Sequence, residues 1–231
     1  MTAATRVPLV LIPALLCDDA LYADVIADLG NSVNAQVIVA ARPTVAESVA
    51  EILDRAPERF VLAGSSYGGT VAIEVALSAP ERVLGLWLSD CDPGASDRDA
   101  TLGLAGMLEG STDAAVGHLA SVVVRPQATD AAATFRAMAG RIGGPVGGAQ
   151  ARALAARADA WDRLGELTMP ALVLWGDEDA AIPVSVGQRL AASLPHARLH
   201  TFAACGHLPA LERPGEVADV VRDWLQQTAL S

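Results

Sequence analysis

Few of the residues that whole classes of protein depend on are present in this chain. Its three cysteines, Cys17, Cys91 and Cys205, lie far apart and show no C-x-x-C spacing. An odd, scattered set of thiols argues against a disulfide framework and against a zinc site. Free thiols in a reducing, cytoplasmic compartment are the expectation. Basic residues are also scarce: 16 Lys and Arg stand against 27 Asp and Glu, for a formal net charge of −11. Nucleic acid and anionic lipid need clustered cations, so neither is an expected partner. A small, neutral substrate fits such a surface better. No apolar run approaches the roughly 20 residues of a membrane span. The nearest thing to a targeting segment is Arg6 followed by V-P-L-V-L-I-P-A-L-L-C. Pro8 and Pro13 interrupt it, and Leu16 stands where cleavage would want a small residue. It reads as a core strand retained in the mature protein.

With 231 residues, 52% of them apolar, the chain can bury one sizeable core. Short branched-aliphatic runs bounded by Gly, Pro and Asp recur at 7–12, 36–40, 59–63, 83–88, 171–175 and 198–202. Each reads as a strand buried on both faces. Helical patterns lie between them, at about 20–29, 45–55, 67–78, 184–193 and 215–227. Alternating β and α segments predict an α/β fold: a mostly parallel sheet of about six strands with helices on both faces.

Residues 93–169 break the alternation. The segment is rich in alanine, with helical patterns at 100–109, 113–123, 130–141 and 149–163 and one strand-like run at 122–124. The glycine-rich stretch 143–148 reads as a hinge or loop between two of these helices. The expected organisation is a core domain, 1–92 and 170–231, carrying a helical cap at 93–169.

Three motifs carry chemistry. Gly64-Ser65-Ser66-Tyr67-Gly68 matches G-x-S-x-G, a weak signal alone but a stronger one between a strand pattern and a helix pattern. That setting is a nucleophile elbow, a strand-to-helix turn so tight that glycines must flank the serine. A Gly-rich phosphate loop or a plain βα turn is the bland reading, and no lysine follows to hold a phosphate. The glycine spacing centres on Ser66 rather than Ser65. A serine hydroxyl needs a base at neutral pH. Of the four histidines, His207 follows the last strand pattern, at the sheet edge where open α/β proteins bind ligands. His118, His196 and His200 read as surface or structural. The base in turn needs an orienting carboxylate, and Asp177-Glu178-Asp179 follows the penultimate strand pattern. That gives the order Ser, Asp, His. Chemistry alone leaves Asp177 and Asp179 open.

These motifs together resemble the alpha/beta hydrolase superfamily, nearest to its compact bacterial esterases and lactonases. The resemblance runs over essentially the whole chain apart from the cap. Leu11-Ile12-Pro13-Ala14-Leu15-Leu16-Cys17-Asp18 resembles the oxyanion loop written L-P-G-L-L-C-D in some members. Ala79-Pro80-Glu81-Arg82-Val83 is similar to the segment that follows the nucleophile helix. Gly176-x-x-Asp179-x-x-x-Pro183 resembles the acid loop, and Gly206-His207-x-Pro209-x-x-Glu212-x-Pro214 the histidine loop. The resemblance implies Asp179 as the triad acid, and the backbone N–H groups of Leu15 and Tyr67 as the oxyanion hole.

Two departures stand out. Pro13-Ala14 replaces the usual His-Gly of the oxyanion loop. The chain also starts almost at the oxyanion strand, so the family's N-terminal hairpin is expected to be missing, leaving an edge open to pairing or a homodimer.

The implied activity is hydrolysis of a small carboxylic ester through an acyl-enzyme, with no cofactor and no metal. C–C bond hydrolysis, lactone or thioester cleavage and perhydrolysis would use the same triad. A non-catalytic small-molecule receptor or scaffold is the reading from another class. Leu104, Met107, Leu108, Phe135 and Met138 of the cap are the candidates for setting specificity, with core packing as the alternative use.

Overall fold

The computed structural model describes residues 6–110 and 112–228. The outer ends of the expected core domain, 1–5 and 229–231, lie outside the described residues. Six strands form one sheet, all parallel, in the order β2-β1-β3-β4-β5-β6. They are β1 Val7–Ile12, β2 Val33–Val37, β3 Phe60–Ser65, β4 Val83–Ser89, β5 Ala171–Gly176 and β6 Ala197–Phe202. Nearly every residue of β1, β3, β4 and β5 is buried. Helices cover both faces, so these strands have no solvent side and need no polar alternation. Fully burying a Leu, Val or Ile side chain contributes about 1.5–3 kcal/mol, and Leu9, Val10, Leu11 and Ile12 all do so.

Helices α1 (Ala23–Leu29) and α10 (Pro214–Gln227) pack on one face. The other face carries α2 (Val45–Arg55), α3 (Tyr67–Ser78) and α8 (Val184–Ser193). Each has a local cause. Thr44 caps α2 by accepting from the Glu47 N–H at 3.2 Å. In α3 most residues are apolar and buried, and the helix lies sandwiched rather than at the surface. A one-turn helix, α9 (Pro209–Glu212), follows the last strand.

Between β4 and β5 come four helices: α4 (Arg98–Gly110), α5 (Thr112–Val123), α6 (Thr129–Ile142) and α7 (Gly144–Ala155). They sit over the C-terminal ends of the strands, because Leu104, Leu119, Val123, Phe135 and Leu154 share a cavity with Ser66 and His207. Ion pairs tie them down. Arg141 of α6 grips Asp18 with two hydrogen bonds, of 2.6 and 3.0 Å. Arg125, just after α5, meets Glu178 and Glu212 at 3.5 Å each.

Four local expectations are corrected. The second strand runs from Val33 to Val37, not 36–40, because its partner sets the register: Val7 pairs with Val33 and Leu11 with Val37. The Ile38 N–H closes the ladder on Leu11 O at 2.9 Å. The run 122–124 is the end of a helix, since Val124 N–H donates to Ala120 O at 3.3 Å. Residues 143–148 are neither a hinge nor a loop. Gly143, at φ 77°, ends α6 and leads directly into α7, where Gly147 and Gly148 serve contact. A Cβ on Gly147 would stand 2.4 Å from Leu16 Cδ2, so α7 lies against that leucine because it lacks one. The helix expected over 149–163 stops at Ala155. Asp159 then accepts from the N–H groups of Trp161 (2.9 Å) and Ala95 (3.3 Å), and a 3-10 turn, Trp161–Glu166, leads back to the sheet.

Candidate active site

The sheet's topology decides where the chemistry collects. Strand order turns at β1, which has β2 on one side and β3 on the other. Ligands bind outside the carboxyl ends of the strands at such a switch point. There β3 delivers Ser66 at φ 51°, ψ −117°, a backbone state that an L-residue adopts only under constraint, at a cost of about 1–3 kcal/mol. The constraint is visible. Ser66 N–H donates to Ser89 O at 2.9 Å, and Ser66 O accepts from Gly69 at 2.9 Å and Thr70 at 3.1 Å. A Cβ on Gly68 would stand 2.1 Å from Ile12 O, so the elbow presses on the end of β1. The hydroxyl is left at the N-terminus of α3, where the helix dipole favours negative charge.

Three side chains from three loops then meet. Ser66 Oγ lies 2.9 Å from His207 Nε2, and His207 Nδ1 lies 2.7 Å from Asp179 Oδ2. Asp179 Oδ1 accepts from the N–H groups of Ala181 (2.8 Å) and Ile182 (2.9 Å), which leaves Oδ2 aimed at the ring. A carboxylate at Nδ1 fixes that proton in place, so Nε2 is the acceptor and the Ser66 hydroxyl donates to it. Asp177 stays exposed and, among the described residues, accepts only from Cys205 N–H, at 3.4 Å. Geometry thus separates the two acids that chemistry left open. His118, His196 and His200 are exposed, outside this group.

The histidine loop hangs on Glu212, whose side chain is buried. Its Oε1 accepts from the N–H of Gly206 at 3.2 Å and of Arg125 at 3.3 Å. Burial raises the Glu212 carboxyl above its usual range, against the lowering effect of these donors and nearby arginines. The thiol of Cys205 is also pushed up, chiefly by burial. It is a packing group here.

Leu15 and Tyr67 line the same cavity as Ser66 and His207. Among the described residues neither backbone N–H has a protein acceptor. Leu16 follows at φ 63°, with its own N–H held by the Gln150 side chain at 3.0 Å.

The cavity measures about 170 Å³, and its other lining residues are Ala14, Leu104, Leu119, Val123, Phe135, Leu154, Ala181, Ile182 and Leu208. No charged carboxylate, ammonium or guanidinium is among them. Of the cap residues that sequence offered for specificity, Leu104 and Phe135 face the cavity. Leu108 and Met138 are core, and Met107 points outward. A larger hollow of about 500 Å³, lined by Val45, Glu74 and Arg157 among others, touches none of the three converging side chains.

Sequence reasoning missed Asp90. It follows β4, is fully buried at φ 48°, and accepts from Gly176 N–H at 3.0 Å. Its Oδ2 has no hydrogen-bond partner among the described residues. Burial, then the charge of Asp179, pushes its carboxyl well above the usual range. A polar residue after a central strand, in Ser89-Asp90-Cys91-Asp92, was the available signal. Asp90, Asp179 and His207 bring one ligand atom each within 4.8 Å of one another. An imidazole with both nitrogens engaged has no lone pair left for a cation, so this arrangement suits proton handling better than metal binding.

Residues 10–220 match the Alpha/beta hydrolase family. Among curated proteins, the chain is 31% identical over 185 residues to a 2-hydroxy-6-oxononadienedioate/2-hydroxy-6-oxononatrienedioate hydrolase of Paraburkholderia phymatum. That match covers 74% of this chain and 63% of the relative. It is 28% identical to the pimeloyl-[acyl-carrier protein] methyl ester esterase of Vibrio parahaemolyticus, over 78% of this chain and 76% of the esterase. The chain spans less than two thirds of the length of the first curated relatives it matches. Among solved structures, a thermophilic esterase from Thermogutta terrifontis superposes with a TM-score of 0.88 at 22% identity. The superposition covers 98% of this chain and 92% of that one, a likeness of fold.

Proposed function

Because this chain belongs to the alpha/beta hydrolase family, we propose that it hydrolyses a small, uncharged carboxylic ester through an acyl-enzyme. The observation that carries the reading is the unbroken line from Asp179 through His207 to Ser66, at 2.7 and 2.9 Å. Ser66 attacks the carbonyl as His207 Nε2 takes its proton. Asp179 holds the imidazole in register and stabilises the imidazolium. The tetrahedral oxyanion is met by Leu15 N–H and Tyr67 N–H, where each fixed donor typically contributes about 3 kcal/mol. His207 then returns the proton to the leaving alcohol and activates the water that releases the acid.

The substrate class follows from the cavity. The cavity is small, about 170 Å³, and its walls are almost wholly apolar. An anionic substrate would lack a cationic partner on these walls, and an unpaired charge is costly to bury. That favours a short aliphatic ester over a dianion such as the dienedioate in the name of the Paraburkholderia relative. A cytoplasmic setting belongs to the same proposal, since Cys17, Cys91 and Cys205 are free.

The test is steady-state turnover of a panel of short-chain aryl esters, lactones, thioesters and vinylogous 1,5-diketones by wild type and Ser66→Ala. The proposal expects ester cleavage and a loss of more than about a thousandfold in kcat for the variant. Equal rates for the two proteins would reject Ser66 as nucleophile, and turnover of the diketones alone would reject the ester reading.

A further inference from the structure

The oxyanion loop has a weakness that its own sequence does not repair. Cys17 N–H donates to Ala14 O at 3.0 Å, closing a four-residue turn with Leu15 and Leu16 at its centre. Leu16 takes φ 63°. A positive φ at the third position marks a type II turn, which favours glycine or asparagine there. A leucine carries a Cβ penalty in that region. Left alone, the turn would relax by rotating the Leu15–Leu16 peptide plane, and the adjoining Ala14–Leu15 plane, which carries the Leu15 N–H, would be free to re-orient.

Helix α7 opposes that rotation from two positions on one face. Gln150 is fully buried, and its Oε1 accepts the Leu16 N–H at 3.0 Å. Its Nε2 donates to Ala40 O at 2.9 Å, so the amide is anchored at both ends and cannot turn over without losing both bonds. One turn earlier, Gly147 lies against the Leu16 side chain, where an added Cβ would stand 2.4 Å from Leu16 Cδ2. One turn later, Leu154 reaches the cavity beside Ala14 and Leu15. Residues three, four and seven apart share a helix face, so one edge of α7 touches the side chain, the backbone and the cavity side of this loop.

We propose that Gln150 is a positioning residue for the oxyanion hole: by accepting the Leu16 N–H it fixes the turn that aims the Leu15 N–H at the substrate's developing oxyanion. The inference rests on the hydrolase reading above. It adds that a helix lying outside the sheet, 134 residues further along the chain, governs transition-state binding without touching substrate. Gln150 meets neither Ser66 nor His207, so its loss leaves nucleophile and base intact. Ground-state binding depends on the apolar walls and changes little. Small misplacements of a catalytic donor cost up to about a hundredfold in rate, less than the 10²–10³ typical of deleting a donor outright.

The experiment compares wild type, Gln150→Leu and Gln150→Met for kcat and KM on a short-chain aryl ester. It adds inhibition by an alkyl boronic acid, which forms a tetrahedral adduct on an activated serine, with Ser66→Ala as the reference. A thermal melt of each protein is recorded alongside. The expected result is a kcat lowered about tenfold to a hundredfold with KM within about threefold. Boronate affinity falls by a similar factor. Gly147→Ala, which pushes Leu16 from the other side, moves the same two quantities in the same direction. A lower melting temperature with kcat and boronate affinity unchanged overturns the proposal and makes Gln150 structural only. If both Gln150 variants fail to fold, Gly147→Ala alone carries the test, and wild-type kcat there overturns it. A wild type that neither turns over ester nor binds boronate rejects the underlying hydrolase reading instead.

Discussion

Asp90 and Asp179 are two carboxylates in one buried pocket beside His207, with one ligand atom of each lying within 4.8 Å of the other. Only Asp179 is fully used: it accepts two backbone N–H groups and the imidazole. Among the described residues Asp90 has a single donor, Gly176 N–H. Two adjacent carboxylates resist ionising together, and burial tips the balance so that Asp90 is the one raised.

That difference has a thermodynamic signature. A carboxyl raised in the folded state holds a proton there that the unfolded chain releases above about pH 3.9. Stability then falls as pH rises from about 4 through the raised value. Glu212, also raised by burial, adds a slope of the same sign. Asp18 is lowered, first by its hydrogen bond from Arg141, and opposes it at the acidic end. Asp90→Asn keeps an acceptor for Gly176 N–H and removes the titration. Melting temperatures between pH 4 and 8 should therefore decline less steeply in Asp90→Asn than in wild type. Superimposable profiles would show that Asp90 ionises in the folded protein as it does unfolded.

The two acids of the β5 loop should differ sharply in kinetics. Asp179→Asn leaves Nδ1 without its carboxylate and should lower kcat by about 10³–10⁴, with KM little changed. Asp177 accepts one long bond from Cys205 N–H, so Asp177→Asn should stay within about threefold of wild type. Comparable losses in both would mean that the loop as a whole, rather than one carboxylate, supports the base.

Glycines of two kinds can be told apart by adding a methyl group. On Gly68 it would meet Ile12 O at 2.1 Å, so Gly68→Ala should give little folded protein. On Gly103, inside α4, it meets nothing within 4 Å. Gly103→Ala should stabilise by about 0.4–1 kcal/mol by restricting the unfolded chain. Chemical denaturation of both variants is the check, and an unchanged midpoint for Gly68→Ala would mean that the elbow can move away from β1.

Chain-length preference should follow the walls of the cavity. Phe135 is buried and lines it. Phe135→Ala should move the optimum of a homologous series of aryl esters toward longer acyl chains, while Leu104→Trp should move it toward acetate. Relative kcat/KM along the series reports this. An unmoved optimum in both would place the acyl group elsewhere.

Much of this molecule was legible because its strands are buried on both faces and its breakers stand where elements end. The bounds of β1, α2, α3 and α8 follow from runs of apolar residues closed by Pro, Gly or Ser. The convergence of Ser66, Asp179 and His207 was foreseeable because each follows a strand of its own, and parallel strands bring their carboxyl ends to one rim. What escaped was set by distant partners. The register of β2 depends on β1 and not on its own valines. The stretch 143–148 reads as a hinge or loop from sequence because the use of Gly147 and Gly148 is close approach to Leu16 and Glu109, residues far away in the chain. Gln150 gave no local signal, since its two partners lie 134 and 110 residues away. Asp90 was passed over because its neighbour in space, Asp179, belongs to a different loop.

One measurement bears most directly on the claim that Ser66 is acylated with His207 as its base. Wild type, Ser66→Ala and His207→Ala are quenched during turnover of a slow aryl ester, digested, and searched by mass spectrometry for an acyl group. The account predicts one acylated peptide, carrying Ser66, in wild type and none in either variant. An acyl group on another residue, or full turnover in Ser66→Ala with no acyl-peptide at all, would contradict it.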